Sequence, residues 1–551
     1  MTKETFTFMV GGKAGEGVKK AGLSASNFLA SLGLRVFQMD DYQSLIKGGH
    51  NFSIVSASKR EITSHYKFAD LVVNLDARSY ELHRGHVAEG GILVRNSDAT
   101  KDGPGIGLPL TAEAKKYPDP GLRVGLASFA VLCAALGMDK AETNERVKAE
   151  YARDLENNLA YAGAIHDLAW PLLGGKVRLE GGGRPMPMLY GNEAIALGAA
   201  AGGLDIYIAY PMTPSSSILH FLAANADKLG VAVFHPENEI AVANMAIGAA
   251  SVGARSMVGS SGGGFALMEE AISLAGMTET PLLLVLSSRP GPSTGVPTYT
   301  EQADLGYALG QGHGEFPKLV ASPGSVQEAF YLAAEMLDLA WRFQVPAILL
   351  TEKHLAESRM TVDIDPSKAA WPAPEMHASG EYKRYLDTLS GVSPLLFPPS
   401  KELIKWDSYE HDERGITADT PESIVRMHDK RARKGESLVQ HMKGLRTVNA
   451  HGDGETIIFT YGSTTMSVFE AVRYEKLKVK VVQPIYLEPL PVWELEKYNG
   501  VKSIVVEQSS TGQFARLLKE KAGITASAII KRYDGRPFCP VELAKQLKGM
   551  L

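Results

Sequence analysis

The stretch Tyr210-Pro211-Met212-Thr213-Pro214-Ser215-Ser216-Ser217 stands between an apolar run, Ile206 to Ala209, and a helical pattern that begins near Ile218. This order predicts a strand-to-helix turn. The two prolines fix the backbone and withhold amide donors, while Thr213 and Ser215 to Ser217 supply hydroxyl and main-chain donors at a helix N-terminus, where a carboxylate is favourably received. Taken alone, the same residues also suit an ordinary N-cap loop of an α/β domain.

Working outward, short apolar runs alternate with helix-length Ala- and Leu-rich segments from about residue 186 to residue 360. The runs are Ile206 to Ala209, Ala232 to Phe234, Arg255 to Gly259, Leu282 to Leu286 and Ala347 to Leu350. The pattern predicts a doubly wound α/β domain, in which ligands collect outside the carboxyl ends of the strands. Thr213, Glu239, Ser260-Ser261-Gly262 and Arg289 all follow strands closely, so they are expected to cluster in space. This expectation rests on the α/β pattern alone.

The rest of the chain divides around that domain. Residues 1–180 read as an α/β domain, and the Gly- and Pro-rich loop from Gly174 to Pro185 reads as a linker. Residues 361–450 are proline-rich and mixed in charge, and read as an extended connector with a helix around Pro421 to Leu445. Within it, Tyr409-Glu410-His411-Asp412-Glu413 and His428-Asp429-Lys430-Arg431 read as solvated charged surface rather than a metal site. Residues 451–551 restart the strand–helix alternation at Thr456 to Tyr461, Val479 to Pro484 and Ser503 to Glu507, giving a further α/β domain.

A chain of 551 residues that is 45% hydrophobic can build several cores. The 57 basic and 62 acidic residues, net −5, provide no basic field for nucleic acid. No apolar stretch is long enough to cross a bilayer, and MTKETFTFMV lacks a secretory hydrophobic region followed by a cleavage site, so a cytoplasmic protein away from the membrane is expected. Cys133 and Cys539 are the two cysteines. Two thiols cannot hold an iron-sulfur cluster, which needs four, and both read as buried and inert.

Near the N-terminus, the strand-like Phe6-Thr7-Phe8-Met9-Val10 leads into Gly11-Gly12-Lys13-Ala14-Gly15-Glu16-Gly17 and then a helical pattern from Val18 to Leu32. Backbone amides at such a turn can cradle a phosphate, which makes Gly11, Gly12 and Gly15 cofactor-binding candidates, with a purely structural role equally open. Asp40 ends the second strand at a spacing that also suits a dinucleotide-binding oxidoreductase.

YPMTPSS resembles the Tyr-Pro-x-Thr-Pro-Ser-Ser signature of the 2-oxoacid:ferredoxin oxidoreductases. The resemblance extends to GNEAIALGA at Gly191 to Ala199, PENEIAVANMAIGAA at Pro236 to Ala250 and RPGPSTGVPTYTEQADL at Arg289 to Leu305. The N-terminal part is similar to the family's gamma subunit through GGKAGEGV and the turn Lys47-Gly48-Gly49-His50, where relatives more often carry arginine than Lys47. Glu507-Gln508-Ser509-Ser510-Thr511-Gly512-Gln513 resembles a turn of the family's transketolase C-terminal-like domain and receives no catalytic role. The resemblance implies a gamma-type α/β domain, a thiamine-diphosphate pyrimidine-type doubly wound domain and a transketolase C-terminal-like α/β domain.

It also implies the chemistry. Glu239 takes the position of the glutamate that bonds the aminopyrimidine of thiamine diphosphate, with Glu237 its local competitor and Ser261 a second cofactor contact. Arg289 and Thr213 take the positions that hold the substrate carboxylate, and Lys47 is a candidate for a distal carboxylate. No diphosphate–Mg2+ motif is present. That motif and a 4Fe-4S iron-sulfur cluster are therefore expected on a beta subunit, in an α2β2 assembly that passes electrons to ferredoxin, and this chain is expected to hold no metal itself. The gamma-like domain is expected to contribute to coenzyme A binding and to cover the site. The implied reaction is coenzyme A-dependent oxidative decarboxylation of 2-oxoglutarate to succinyl-CoA, or its reverse. A pyruvate or broad 2-oxoacid enzyme, a dinucleotide-dependent oxidoreductase and a non-catalytic binding subunit are the alternatives.

Overall fold

The structure, a computed structural model, describes residues 4–43 and 49–551. The chain divides into two compact units, one of residues 1–189, 357–363 and 539–545, the other of residues 190–356, 364–538 and 546–551. Among the described residues no helix is long and apolar enough to cross a membrane.

In the first unit the sheet runs in the order Ile106–Leu108, Val87–Asn96, Ala69–Asn74, Thr5–Lys13, His50–Ser58, Arg35–Asp41 and Arg359–Thr361. The repeated strands and helices suggest a parallel sheet, but the sheet is mixed. Thr5–Lys13 pairs antiparallel with His50–Ser58, which pairs antiparallel with Arg35–Asp41. The connection from Asp41 to His50 is too short for a helical crossover, and a short link permits antiparallel pairing alone. The strand that follows the first helix is thus separated from Thr5–Lys13 by His50–Ser58, unlike a dinucleotide-binding βαβ unit. Asp40 is buried, and its Oδ1 accepts from Gln38 Nε2 at 3.0 Å and Ser53 Oγ at 2.7 Å. Val18–Ser31 packs against this sheet, and Pro120–Ala135, buried on almost every face, packs against Val18–Ser31 and Leu155–Leu173. Cys133 lies within it, and burial pushes its thiol up to about 12, so it stays protonated.

The larger sheet of the second unit has the order Tyr486–Glu488, Leu319–Ala321, Pro346–Glu352, Leu282–Ser288, Ser256–Ser260, Ile206–Ile208 and Ala232–Phe234. All neighbours are parallel except Tyr486–Glu488, which returns antiparallel to Leu319–Ala321. Leu282–Ser288 and Pro346–Glu352 are buried throughout, which explains their unbroken apolar texture. A second sheet, in the order Val448–His451, Val479–Pro484, Thr456–Phe459, Ser503–Glu507 and Ala528–Lys531, comes from the C-terminal part. One core runs through both, joining Leu284 and Ile348 to Phe459, Val505 and Leu518. The sequence boundary near residue 450 therefore marks a change of sheet inside one packed body.

The connector is bound to that body by charge. The carboxylate of Glu279, which has no exposed surface, accepts from Lys430 Nζ at 2.8 and 2.9 Å and from Lys434 Nζ at 2.8 Å. Arg384, also buried, donates to the Glu279 backbone carbonyl at 2.7 Å and lies over the Trp406 ring at 4.0 Å. Burial alone would raise the Glu279 carboxyl, but the lysines reverse this and hold it well below the usual range. Two lysines share one carboxylate, and burial brings Lys434 down to about 8.

The runs expected to be solvated surface prove mixed, with Tyr409, His428 and Asp429 exposed and His411, Lys430 and Arg431 buried. Lys430 and His411 have no exposed surface, Arg431 is 4% exposed, and its guanidinium makes a two-pronged pair with Glu410 at 3.0 and 2.6 Å. The helix Pro421–Met442 presents these charges toward buried partners, which residue type alone does not reveal. Glu279→Ala leaves two lysine ammonium groups buried without their counterion. It should lower unfolding free energy by about 3–5 kcal/mol, measured by chemical denaturation.

Candidate functional site

The turn at Tyr210 to Ser217 forms as the sequence predicts, between Ile206–Ile208 and the helix Ser216–Ala224. Its conformation is held from below by Asn192 on the helix Gly191–Ala201. The buried Asn192 amide donates to the Pro214 carbonyl at 2.8 Å and to Ser217 Oγ at 2.7 Å. Those bonds aim the turn's remaining groups over the sheet edge. Arg289 Nη1 reaches the Thr213 carbonyl at 2.7 Å, joining the ends of two strands. Burial lowers the guanidinium's pKa, with Asp304 acting in the opposite direction, yet an arginine so placed stays cationic.

Glu239 is the first residue of the helix Glu239–Ser251, behind an Asn238 cap whose Oδ1 accepts from Ala241 N at 2.9 Å. Its side chain is 3% exposed, and its Oε1 has no hydrogen-bond partner. Ser261 Oγ, at the end of Ser256–Ser260, is likewise buried without a partner. A buried carboxylate oxygen left bare costs free energy unless a ligand donor reaches it. Gly264 makes room for this arrangement, since a Cβ there would collide with both Glu239 Oε1 and Ser260 Oγ. Ser260 Oγ lies 3.9 Å from Met212 Sδ of the turn, so the expected clustering of Thr213, Glu239, Ser260 to Gly262 and Arg289 is what the fold produces. A carboxylate acceptor and a hydroxyl, both buried and unsatisfied, suit an aminopyrimidine, which carries donor and acceptor nitrogens.

Asp304, not singled out from the sequence, closes the rim. It accepts from Ser288 Oγ at 2.8 Å and stands so near Gly262 that a Cβ there would meet it at 2.9 Å. Burial raises its pKa, offset by Ser288 and Arg289. Gln302 and Glu352 were also missed. Glu352 Oε1 accepts from Gln302 Nε2 at 3.1 Å, Ser463 N at 2.7 Å and Ser463 Oγ at 2.5 Å. Gln302 and Asp304 sit inside the quoted TYTEQADL segment, and Asn192 inside GNEAIALGA. Their long-range partners gave no local signal.

The first unit holds the remaining candidates. Gly11 and Gly12 prove to be strand residues opposite Phe52 and Asn51, with Gly11 packed on His83 and Ser79 and Gly12 on Leu75 and Val18. Gly15, at φ +95°, occupies the turn itself and has open space where a side chain would stand. Lys47 lies outside the described residues. Among the described residues no cluster of His, Cys, Asp or Glu is placed to hold a metal ion.

Burial pushes the Glu352 carboxyl up to about 7, against the lowering effect of its bonds from Ser463 and Gln302. Its folded value lies above its unfolded one, so its contribution to stability is full below the ordinary carboxylate range and is lost as pH rises through 7. Between pH 4.5 and 7 this loss is about 3 kcal/mol. Glu352→Gln should remove that slope from a plot of unfolding free energy against pH. An unchanged slope in the variant would assign the loss to other groups.

Comparison with known proteins follows the same division. The family model described as pyruvate flavodoxin/ferredoxin oxidoreductase, thiamine diphosphate-binding, matches residues 197–430, and pyruvate ferredoxin/flavodoxin oxidoreductase matches residues 7–167. The alpha subunit of 2-oxoacid:ferredoxin oxidoreductase 2 from Aeropyrum pernix is 30% identical over 99% of this chain and 97% of its own length. Subunit KorA of the 2-oxoglutarate synthase of Methanothermobacter marburgensis is 29% identical, covering 66% of this chain and 98% of its own. A solved structure of 2-oxoglutarate:ferredoxin oxidoreductase from Magnetococcus marinus, with 2-oxoglutarate, coenzyme A and succinyl-CoA bound, superimposes with a TM-score of 0.91 at 28% identity, covering 99% of both chains.

Proposed function

The chain belongs to the alpha subunits of the 2-oxoacid:ferredoxin oxidoreductases, and on that premise we propose that it oxidises 2-oxoglutarate to succinyl-CoA and carbon dioxide, or runs the reverse. The observation that carries this reading is the bare, buried Glu239 Oε1 a few side chains from the Arg289–Thr213 pair. Thiamine diphosphate, when bound, supplies the carbanion that attacks the 2-oxo carbon and accepts the electrons released with carbon dioxide.

The chain's own residues do the rest. Glu239 Oε1 shares a proton with the pyrimidine ring nitrogen, favouring the tautomer whose exocyclic nitrogen acts as base. Ser261 Oγ holds the pyrimidine edge. Arg289 and the Thr213 hydroxyl grip the substrate's 1-carboxylate and orient its carbonyl. Asp304 counters the Arg289 charge, so the guanidinium keeps its direction as substrate leaves. On sequence alone, Lys47 is assigned to the distal carboxylate and Gly15 with its neighbours to coenzyme A. A beta subunit holding the Mg2+-diphosphate end and the iron-sulfur cluster completes the site, two copies of each chain form the assembly, and ferredoxin takes the electrons. The reading of the substrate as 2-oxoglutarate draws on the names of the KorA relative and of the Magnetococcus marinus structure.

The test is viologen or ferredoxin reduction by this chain co-expressed with its beta partner, on 2-oxoglutarate, pyruvate and 2-oxobutyrate, with and without coenzyme A. Coenzyme A-dependent activity greatest on 2-oxoglutarate is the expected result; similar rates on all three assign a broad 2-oxoacid enzyme instead. In the same assay Glu239→Gln should lower kcat by about 10²–10⁴-fold with the cofactor retained. Arg289→Ala should act chiefly on KM for the oxoacid. Full activity in Glu239→Gln would remove this residue from the chemistry.

A further inference from the structure

The turn Glu507 to Gln513 was given no role in the reaction, yet it is built against the segment that follows Arg289. That segment leaves the strand Leu282–Ser288, passes through exposed residues from Gly291 to Val296 and comes back as Thr298 to Asp304. Gln302 N donates to the Gln508 carbonyl at 2.7 Å, and Gln508 N donates to Gln302 Oε1 at 2.9 Å. Thr464 Oγ1 donates to the same Gln302 oxygen at 2.9 Å. Gln513 then spans the end of the leg, its Oε1 accepting from Gly306 N at 2.6 Å and its Nε2 donating to the Ala303 carbonyl at 2.7 Å. Thr300 N donates to the Gly535 carbonyl at 3.1 Å, and the Arg536 guanidinium lies 3.6 Å over the Tyr299 ring.

Every one of these partners comes from the C-terminal part of the chain, residues 451–551, whereas Arg289 directly follows the strand Leu282–Ser288 of the larger sheet. Two main-chain bonds and a forked amide fix the position of this irregular leg, where a purely apolar contact would let it slide. Asp304, two residues beyond Gln302, is thereby delivered to Ser288 and to the Arg289 charge.

We propose that the Gln508–Gln513 turn is a positioning element for the oxoacid site, which sets substrate affinity by fixing the return leg of the Arg289–Asp304 loop. The inference rests on the assignment of Arg289 to the substrate carboxylate. Gln513 is half-buried at the first position of the helix Gln513–Ala522, and its side-chain amide bonds main-chain groups of the leg, so changing it removes those bonds and leaves the leg's own residues in place.

The experiment uses the full complex with Gln513→Met, which removes both amide bonds at nearly constant size, and Gln513→Glu, which keeps the acceptor for Gly306 N. Gln513→Met should raise KM for the 2-oxoacid about tenfold while kcat stays within about threefold, with Gln513→Glu between it and the wild type. Retained thiamine diphosphate and KM for coenzyme A should not move. Amide hydrogen exchange across residues 298–306 should quicken in Gln513→Met, a readout independent of turnover. An unchanged oxoacid KM in an active complex overturns the proposal, whatever happens to thermal stability. If the wild-type complex reduces no acceptor with any oxoacid, the functional reading fails on its own account, and unchanged exchange at residues 298–306 would then overturn the positioning role separately.

Discussion

A carboxyl group between two packed sheets has to be satisfied, and Glu352 meets that demand with donors from both. It ends the strand Pro346–Glu352 of the larger sheet, and its Oε1 collects Gln302 from the loop that follows Arg289 and Ser463 from the C-terminal part. Gln302 in turn is occupied at its other end by Thr464 and Gln508. A half-satisfied polar network at this depth would be worse than an apolar one, so these side chains are committed together. The shared core of Leu284, Ile348, Phe459 and Leu518 supplies the bulk of the adhesion, and the polar network selects one register for it.

The site follows from that register. Parallel strands place their carboxyl ends along one edge, and each of the loops carrying Thr213, Glu239, Ser261 and Arg289 leaves from such an end. Close approach then depends on small details: Gly264 leaves the volume that Glu239 Oε1 occupies, and Asn192 fixes the carbonyl of Pro214 so that Thr213 faces Arg289. The buried oxygen of Glu239 is therefore an acceptor that no donor among the described residues meets.

The connector solves a different problem with the same physics. Besides burying Tyr385, Leu395, Met427, Leu438 and Met442, it fastens itself through Glu279, Lys430, Lys434 and Arg384 in a place water does not reach. Such a cluster adds less net stability than a hydrophobic patch of equal size, but it tolerates little displacement. Its geometry sets where the helix Pro421–Met442 lies against Glu279 and the helix Val326–Phe343.

By itself the sequence determined the α/β alternation, the turn at Tyr210 to Ser217, the helix beginning at Glu239 and the family, because buried parallel strands read as continuous apolar runs and the turn chemistry is local. It also placed Thr213, Glu239, Ser261 and Arg289 at strand ends, from which their convergence follows by topology. Tertiary structure alone decided the antiparallel pairing of Arg35–Asp41 with His50–Ser58, the burial of Lys430 and Arg431, and the roles of Asn192, Gln302, Asp304 and Glu352. Each of those depends on a partner far along the chain: Glu279 lies 151 residues from Lys430, and Gln302 lies 162 from Thr464. Local pattern records which face of an element is apolar, and it carries no record of which distant donor will meet a given polar group once that face is buried.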